Sequence, residues 1–147
     1  MTYTNPRAAL AQYGQSSLQS EVAAASPHRL IQLLMEGALE KIAKSKGFLQ
    51  RAEVAEKGRH IGWAISIIDS LRASLDHEQG GELAGNLEAL YDYMERRLVQ
   101  ANAQNSEEIL DEVADLLRDI KSAWDELPAE VRTSGARDEG PVAYVSA

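Results

Sequence analysis

The sequence contains no cysteine, and its four prolines, Pro6, Pro27, Pro128 and Pro141, all stand near its two ends. Without cysteine there is no disulfide framework, no thiolate nucleophile and no thiolate-bound zinc. The long proline-free stretch from Pro27 to Pro128 favours long helices. Aromatic residues make up only 5% of the chain. The longest apolar run, Ile61 to Ile68, is far short of the roughly 20 residues that cross a bilayer as a helix, so membrane insertion is not expected. Met1 to Ala9 lacks a basic stretch followed by an apolar block, so no signal peptide is expected and the expected compartment is the cytoplasm. Cations are outnumbered, 15 Lys and Arg against 23 Asp and Glu, for a net charge of -8. Phosphate binding needs clustered cations, which argues against nucleic acid and for a protein or small cationic partner.

What is present is the balance of a soluble domain, 44% hydrophobic and 26% charged residues in 147. That length suits one core with tails. Four helices can be read between the two inner prolines. The first starts at Ser26 as N-cap with Pro27 at the first helical position and runs to about Glu53. The second runs from about Lys57 to His77 and stops at Gln79-Gly80-Gly81, where glycine supplies a positive φ. The third runs from about Glu82 to Asn102. Asn105 is expected to cap the fourth, with Glu108 completing a capping box, and that helix ends where Leu127 meets Pro128. Matched lengths and short links predict an all-α, antiparallel up-down four-helix bundle over residues 26–127. Residues 1–25 are read as a mobile N-terminal arm with a short helix around Pro6 to Ala11, and residues 128–147 as a loose tail.

The width of each apolar stripe separates the helices. In the fourth, Ile109, Leu110, Val113, Leu116, Leu117, Ile120, Trp124 and Leu127 fall within an arc of roughly 120°, a single core face. The third has one stripe, Leu83, Leu87, Leu90, Tyr91, Met94 and Leu98, with Tyr93 on its shoulder. In the second, Ile67 and Trp63 widen a stripe already filled by Ile61, Ile65, Ile68, Leu71 and Leu75. In the first, Leu30, Leu33 and Phe48 lie off the centre of the stripe formed by Ile31, Leu34, Met35, Ala38, Ile42 and Leu49. A surplus concentrated on two helices points to a groove for an amphipathic partner helix. The alternatives are that Leu30 and Phe48 pack under the arm and that Trp63 is one ordinary exposed aromatic, or that the arm covers the groove until a partner displaces it.

Chemistry finds little support. None of His28, His60 and His77 follows a Glu by three residues, as a di-iron bundle site requires. The run Asp76, His77, Glu78 and Glu82 cannot converge on one ion from a single helix and reads as a solvated helix end. Phosphate-loop, nucleophile-elbow and dinucleotide motifs are missing, so neither an enzyme nor a cofactor is expected. Residues 105–130 carry nine carboxylates against Arg118 and Lys121. A solvated helix face accounts for most of them.

Several stretches carry a resemblance: Ala25-Ser26-Pro27-His28-Arg29-Leu30-Ile31, Ile67-Ile68-Asp69 with Leu75-Asp76, Gly80-Gly81-Glu82 with Ala84 and Asn86-Leu87, Leu90-Tyr91-Asp92-Tyr93-Met94 with Arg97-Leu98 and Ala101-Asn102, and Ala123-Trp124. Together they resemble the flagellin-specific export chaperones of the FliS family, from about Leu10 to Trp124. The resemblance implies a cytosolic helical bundle that holds the disordered C-terminal segment of flagellin, prevents premature polymerisation and delivers it to the flagellar type III export gate. The anti-sigma factor is a further candidate client. It also implies that Leu10 and Tyr13, at the matching distance before Ser26-Pro27, cover the client site in the free chaperone, although Tyr13 could equally be a structural anchor. Gly14 to Ser17 depart from the branched residues usual there. The candidate partner-binding residues are thus Leu10, Tyr13, Leu30, Leu33, Phe48, Trp63, Ile67, Leu71 and Tyr93, on a monomer or weak homodimer. The alternative function is a homodimeric helical adaptor without a flagellin client.

Overall fold

Ser26 begins the first long helix in the way its hydroxyl allows, accepting a hydrogen bond from the Arg29 N–H at 3.1 Å, with Pro27 following in the first turn. A computed structural model describes residues 16–127, and these are all-α: among the described residues there are five helices and no strand. They are α1 (Ser16–Ala24), α2 (Pro27–Gln50), α3 (Val54–Ala73), α4 (His77–Gln104) and α5 (Glu107–Asp125). Each of the four long helices packs against two others, α2 and α4 both contacting α3 and α5. The core sits between them. It holds Leu34, Ile61, Ile68, Met94, Leu98, Leu110, Leu117 and Trp124, all almost fully buried, and each Leu or Ile so buried contributes about 1.5–3 kcal/mol before chain entropy is charged against it.

Several helix ends differ from expectation, α3 starting at Val54 ahead of Lys57 and α4 running on to Gln104. The first helix stops at Gln50, because Ala52 takes a left-handed backbone at φ 59°. The second ends at Ala73, four residues early, since Asp76 caps the next helix by accepting from the N–H groups of Glu78 and Gln79 at 3.1 Å. Gly81 does have a positive φ, 54°, but it kinks α4 near its start instead of ending α3. The last helix is capped by Ser106, whose hydroxyl accepts from Ile109 N–H at 3.1 Å. Asn105 is instead the left-handed C-cap of α4. Its side chain accepts from Lys57 Nζ at 2.6 Å, so it stitches the α4–α5 turn to the start of α3.

α1 was not foreseen. It occupies part of the expected arm, Val22 is buried in the main apolar cluster, and Glu21 pairs with Arg29 at 2.7 Å. The helix expected around Pro6 to Ala11, the arm residues Leu10 and Tyr13, and the tail 128–147 lie outside the described residues.

Candidate functional site

The apolar residues that looked surplus on α2 and α3 divide into two layers. Leu33 is 4% exposed, Ile67 0% and Leu71 1%, so all three belong to the core cluster. For Leu33 and Ile67 this corrects the reading of spare surface: helices with two long neighbours and the Val22 helix beside them consume a wide apolar arc. Leu30 and Trp63 are half-buried and pack on the cluster from outside, and Phe48 is also half-buried. The opposite correction applies to α4. Its single stripe is not wholly internal, because Leu83 is 48% exposed and Leu90 36%.

Around Phe48 and Trp63 the side chains form a continuous ladder of rings and cations. Lys41 places its Nζ 3.6 Å from the centre of the Trp63 ring. The lysine is itself buried, and burial lowers its pKa from the usual lysine range, ahead of the opposing effect of Glu40. His60 lies 6.1 Å from Trp63 and 4.9 Å from Phe48, ring centre to ring centre. Its Nδ1 is 2.9 Å from the Glu56 carbonyl, so Nδ1 carries the proton and donates. Arg51 lies over the Phe48 ring, 5.0 Å from its centre. Sequence reasoning named Phe48 and Trp63 and missed Lys41, His60 and Arg51. A spacing of three or four residues links Phe48 to Arg51 and His60 to Trp63, but the step across helices from Lys41 to Trp63 leaves no local signal.

Tyr93 stands apart from this ladder. Its hydroxyl donates to Glu112, which also accepts from Arg97 at 2.9 Å, and the three groups fasten α4 to α5. That hydrogen bond raises the Tyr93 pKa, and the Tyr93 and Arg97 bonds together lower that of Glu112. A second polar fastening lies inside. Trp124 Nε1 donates to the His28 carbonyl at 2.9 Å, and the two rings stack at 4.9 Å. On the α3–α4 side, Arg72 lies 3.5–3.8 Å from four carboxylates, Asp69, Glu88, Asp92 and Glu95. Burial, with Asp69 next, pushes the Glu95 carboxyl up to about 7. His77 pairs with Glu88 at 2.9 Å. Among the described residues no group of three or more His, Asp or Glu could hold a metal ion, and no helix is long and apolar enough to cross a membrane.

A protein-family model described as “Flagellar protein FliS” matches residues 9–131. The chain belongs to the FliS family. It is 55% identical over 117 residues to the flagellar secretion chaperone FliSB of Pseudomonas aeruginosa, covering 80% of this chain and 93% of that protein. It is 42% identical over 134 residues to the flagellar secretion chaperone FliS of Vibrio cholerae, covering 91% and 98%. The FliS of Salmonella typhimurium is 47% identical over 116 residues, covering 78% and 86%. The family resemblance read from the sequence motifs is thereby established, and the all-α class agrees with the helices described.

Proposed function

We propose that this chain is a cytosolic flagellar export chaperone: it binds the disordered C-terminal segment of flagellin, keeps it from polymerising and delivers it to the type III export gate. The observation that carries this reading is the similarity to flagellar secretion chaperones over nearly the whole chain. In this reading the four long helices form an antiparallel bundle, and its client face is built on α2 and α3. Leu30, Phe48 and Trp63 meet the client, while Leu33, Ile67 and Leu71 lie beneath and are reached only as the covering layer moves. Leu10 and Tyr13 belong to that cover, continuing toward the N-terminus from the anchored Val22. Tyr93, bonded to Glu112 where α4 meets α5, is a further candidate contact set apart from that face. A disordered segment that folds as helices on such a face buries on the order of 1,000 to 3,000 Å² and loses chain entropy in doing so, which makes the complex protective yet releasable.

Calorimetric titration of the chain with a peptide of the flagellin C-terminal segment tests the reading. One-to-one binding with a negative heat-capacity change is the expected result. Trp63→Ala should weaken it by about 1–2 kcal/mol with the helical signal retained, as truncation of a central aromatic does. Ile67→Asp is a poor probe, because a charge at a fully buried position unfolds the core. Leu10→Ala with Tyr13→Ala should tighten binding by roughly threefold to tenfold, since a cover competes with the client. No binding by a folded chain would leave the family without this client.

A further inference from the structure

The turn between α2 and α3 carries a cavity that meets the proposed client face at Phe48 and otherwise lies outside it. It measures about 510 Å³ and is lined by Ala43, Lys44, Gly47, Phe48 and Arg51 from the end of α2 and by Glu56, Arg59 and His60 from the start of α3. On a chain of net charge -8, this lining holds three Lys or Arg side chains against one acid. The cations are held only by sequence neighbours: Lys44 by Glu40 at 3.1 Å, Arg51 by Glu53 at 2.9 Å and Arg59 by Glu56 at 2.8 Å. Each of the three is more than half exposed, and ion pairs of that kind exchange readily for another carboxylate. The floor is apolar. Arg51 lies along it, over the Phe48 ring, and a Cβ on Gly47 would come within 3.3 Å of its Nη1, so the missing side chain leaves the guanidinium its place.

We propose that this cavity is a second docking site, specific for an acidic segment of a protein partner, whose carboxylates meet Lys44, Arg51 and Arg59 while an apolar side chain rests on Phe48. Charge decides the occupant. A long polyanion such as nucleic acid would extend beyond the cavity onto a chain of net negative charge, whereas a short acidic segment fits within this locally basic hollow. The repulsion of the remaining surface also orients such a segment, because an acidic partner is attracted here and turned away elsewhere.

The test is an NMR titration of the isotope-labelled full chain with a peptide of two leucines flanked on each side by two glutamates. Shifts centred on residues 43–60 are expected, with none from the same peptide carrying glutamine for glutamate. The double variant Lys44→Glu, Arg59→Glu should lose about tenfold or more in affinity while its melting temperature and its titration with the flagellin peptide stay as in the parent. Retained binding of the glutamate peptide by the conservative pair Lys44→Arg, Arg59→Lys would support the electrostatic reading. Equal binding of the glutamine peptide, shifts elsewhere, or an unaltered affinity in the double variant would overturn it. Tighter binding of a single-stranded oligonucleotide at the same residues would make the site one for nucleic acid, and shifts that grow with protein concentration alone would make it an interface with a second copy. Loss of both peptides in the double variant would merge the cavity with the client face and overturn a separate site.

Discussion

Glu95 shows how one buried carboxylate can set a pH dependence. Its side chain is 16% exposed and faces Asp69 and Asp92, with a share of one guanidinium, that of Arg72. Because its folded-state pKa, about 7, lies above the ordinary glutamate value, the folded chain holds this proton more tightly than the unfolded one. The contribution to stability is full below about pH 4.5 and is lost as pH rises through 7. Glu95→Gln should therefore stabilise the protein at pH 8 by roughly 1–3 kcal/mol and make no difference at pH 4. Urea unfolding at the two pH values measures this; an equal effect at both would assign the gain to packing. At this scale the sequence was legible only in part. Periodicity placed Leu34, Ile68 and Leu117 inside, where they are, but it could not count the neighbours around each helix. Hence Ile67 was taken as spare surface and is buried, whereas Leu83 was taken as core and is half exposed.

The elements themselves were easier to read, because helix starts are written in short-range chemistry. Ser26-Pro27 marked the first long helix correctly. The last start was misassigned by one residue, since Asn105 and Ser106 are both good caps and only the backbone decides between them: Asn105 takes a left-handed φ of 51°, which ends a helix. Ser106→Ala should cost about 1 kcal/mol, and Ser106→Gly only a few tenths, because glycine tolerates the N-cap backbone. Chemical denaturation would measure both, and equal losses would mean that the lost hydroxyl bond to Ile109, and not the backbone tolerance of glycine, sets the cost. The helix α1 was missed for a different reason. Its sequence carries little helical patterning, and among the residues whose side chains are described Val22 is its anchor, through tertiary contact that no local pattern records.

For the whole molecule, part of the acidic excess is structural. Of the nine carboxylates between residues 105 and 130, Asp111 pairs with Lys46 and Glu112 with Arg97, tying α5 to α2 and α4 by charge as well as by its apolar face, while Asp115 pairs with Arg118 and Asp125 with Lys121 within α5. Exposed apolar side chains remain at Val54, Leu83, Leu90 and Val99. Of these, only Leu83 and Leu90 are spaced to share a helix face, a smaller patch than stable self-association demands. Sedimentation at micromolar concentrations should accordingly give one species of 16.1 kDa. A concentration-dependent dimer abolished by Leu83→Glu with Leu90→Glu would instead place an interface on α4.

The hydrogen bond from Trp124 to the His28 carbonyl closes the packed helices across 96 positions of chain. A ribosome adding roughly 5–20 residues per second needs about 5 to 20 seconds to travel from one residue to the other. In the later part of that interval, once residue 73 has been added, α2 and α3 can already pair, yet α5 has not arrived to cover the inner side of α2. A protein proposed to shelter a nascent subunit thus passes through a stage of its own synthesis in which its core lacks its last wall.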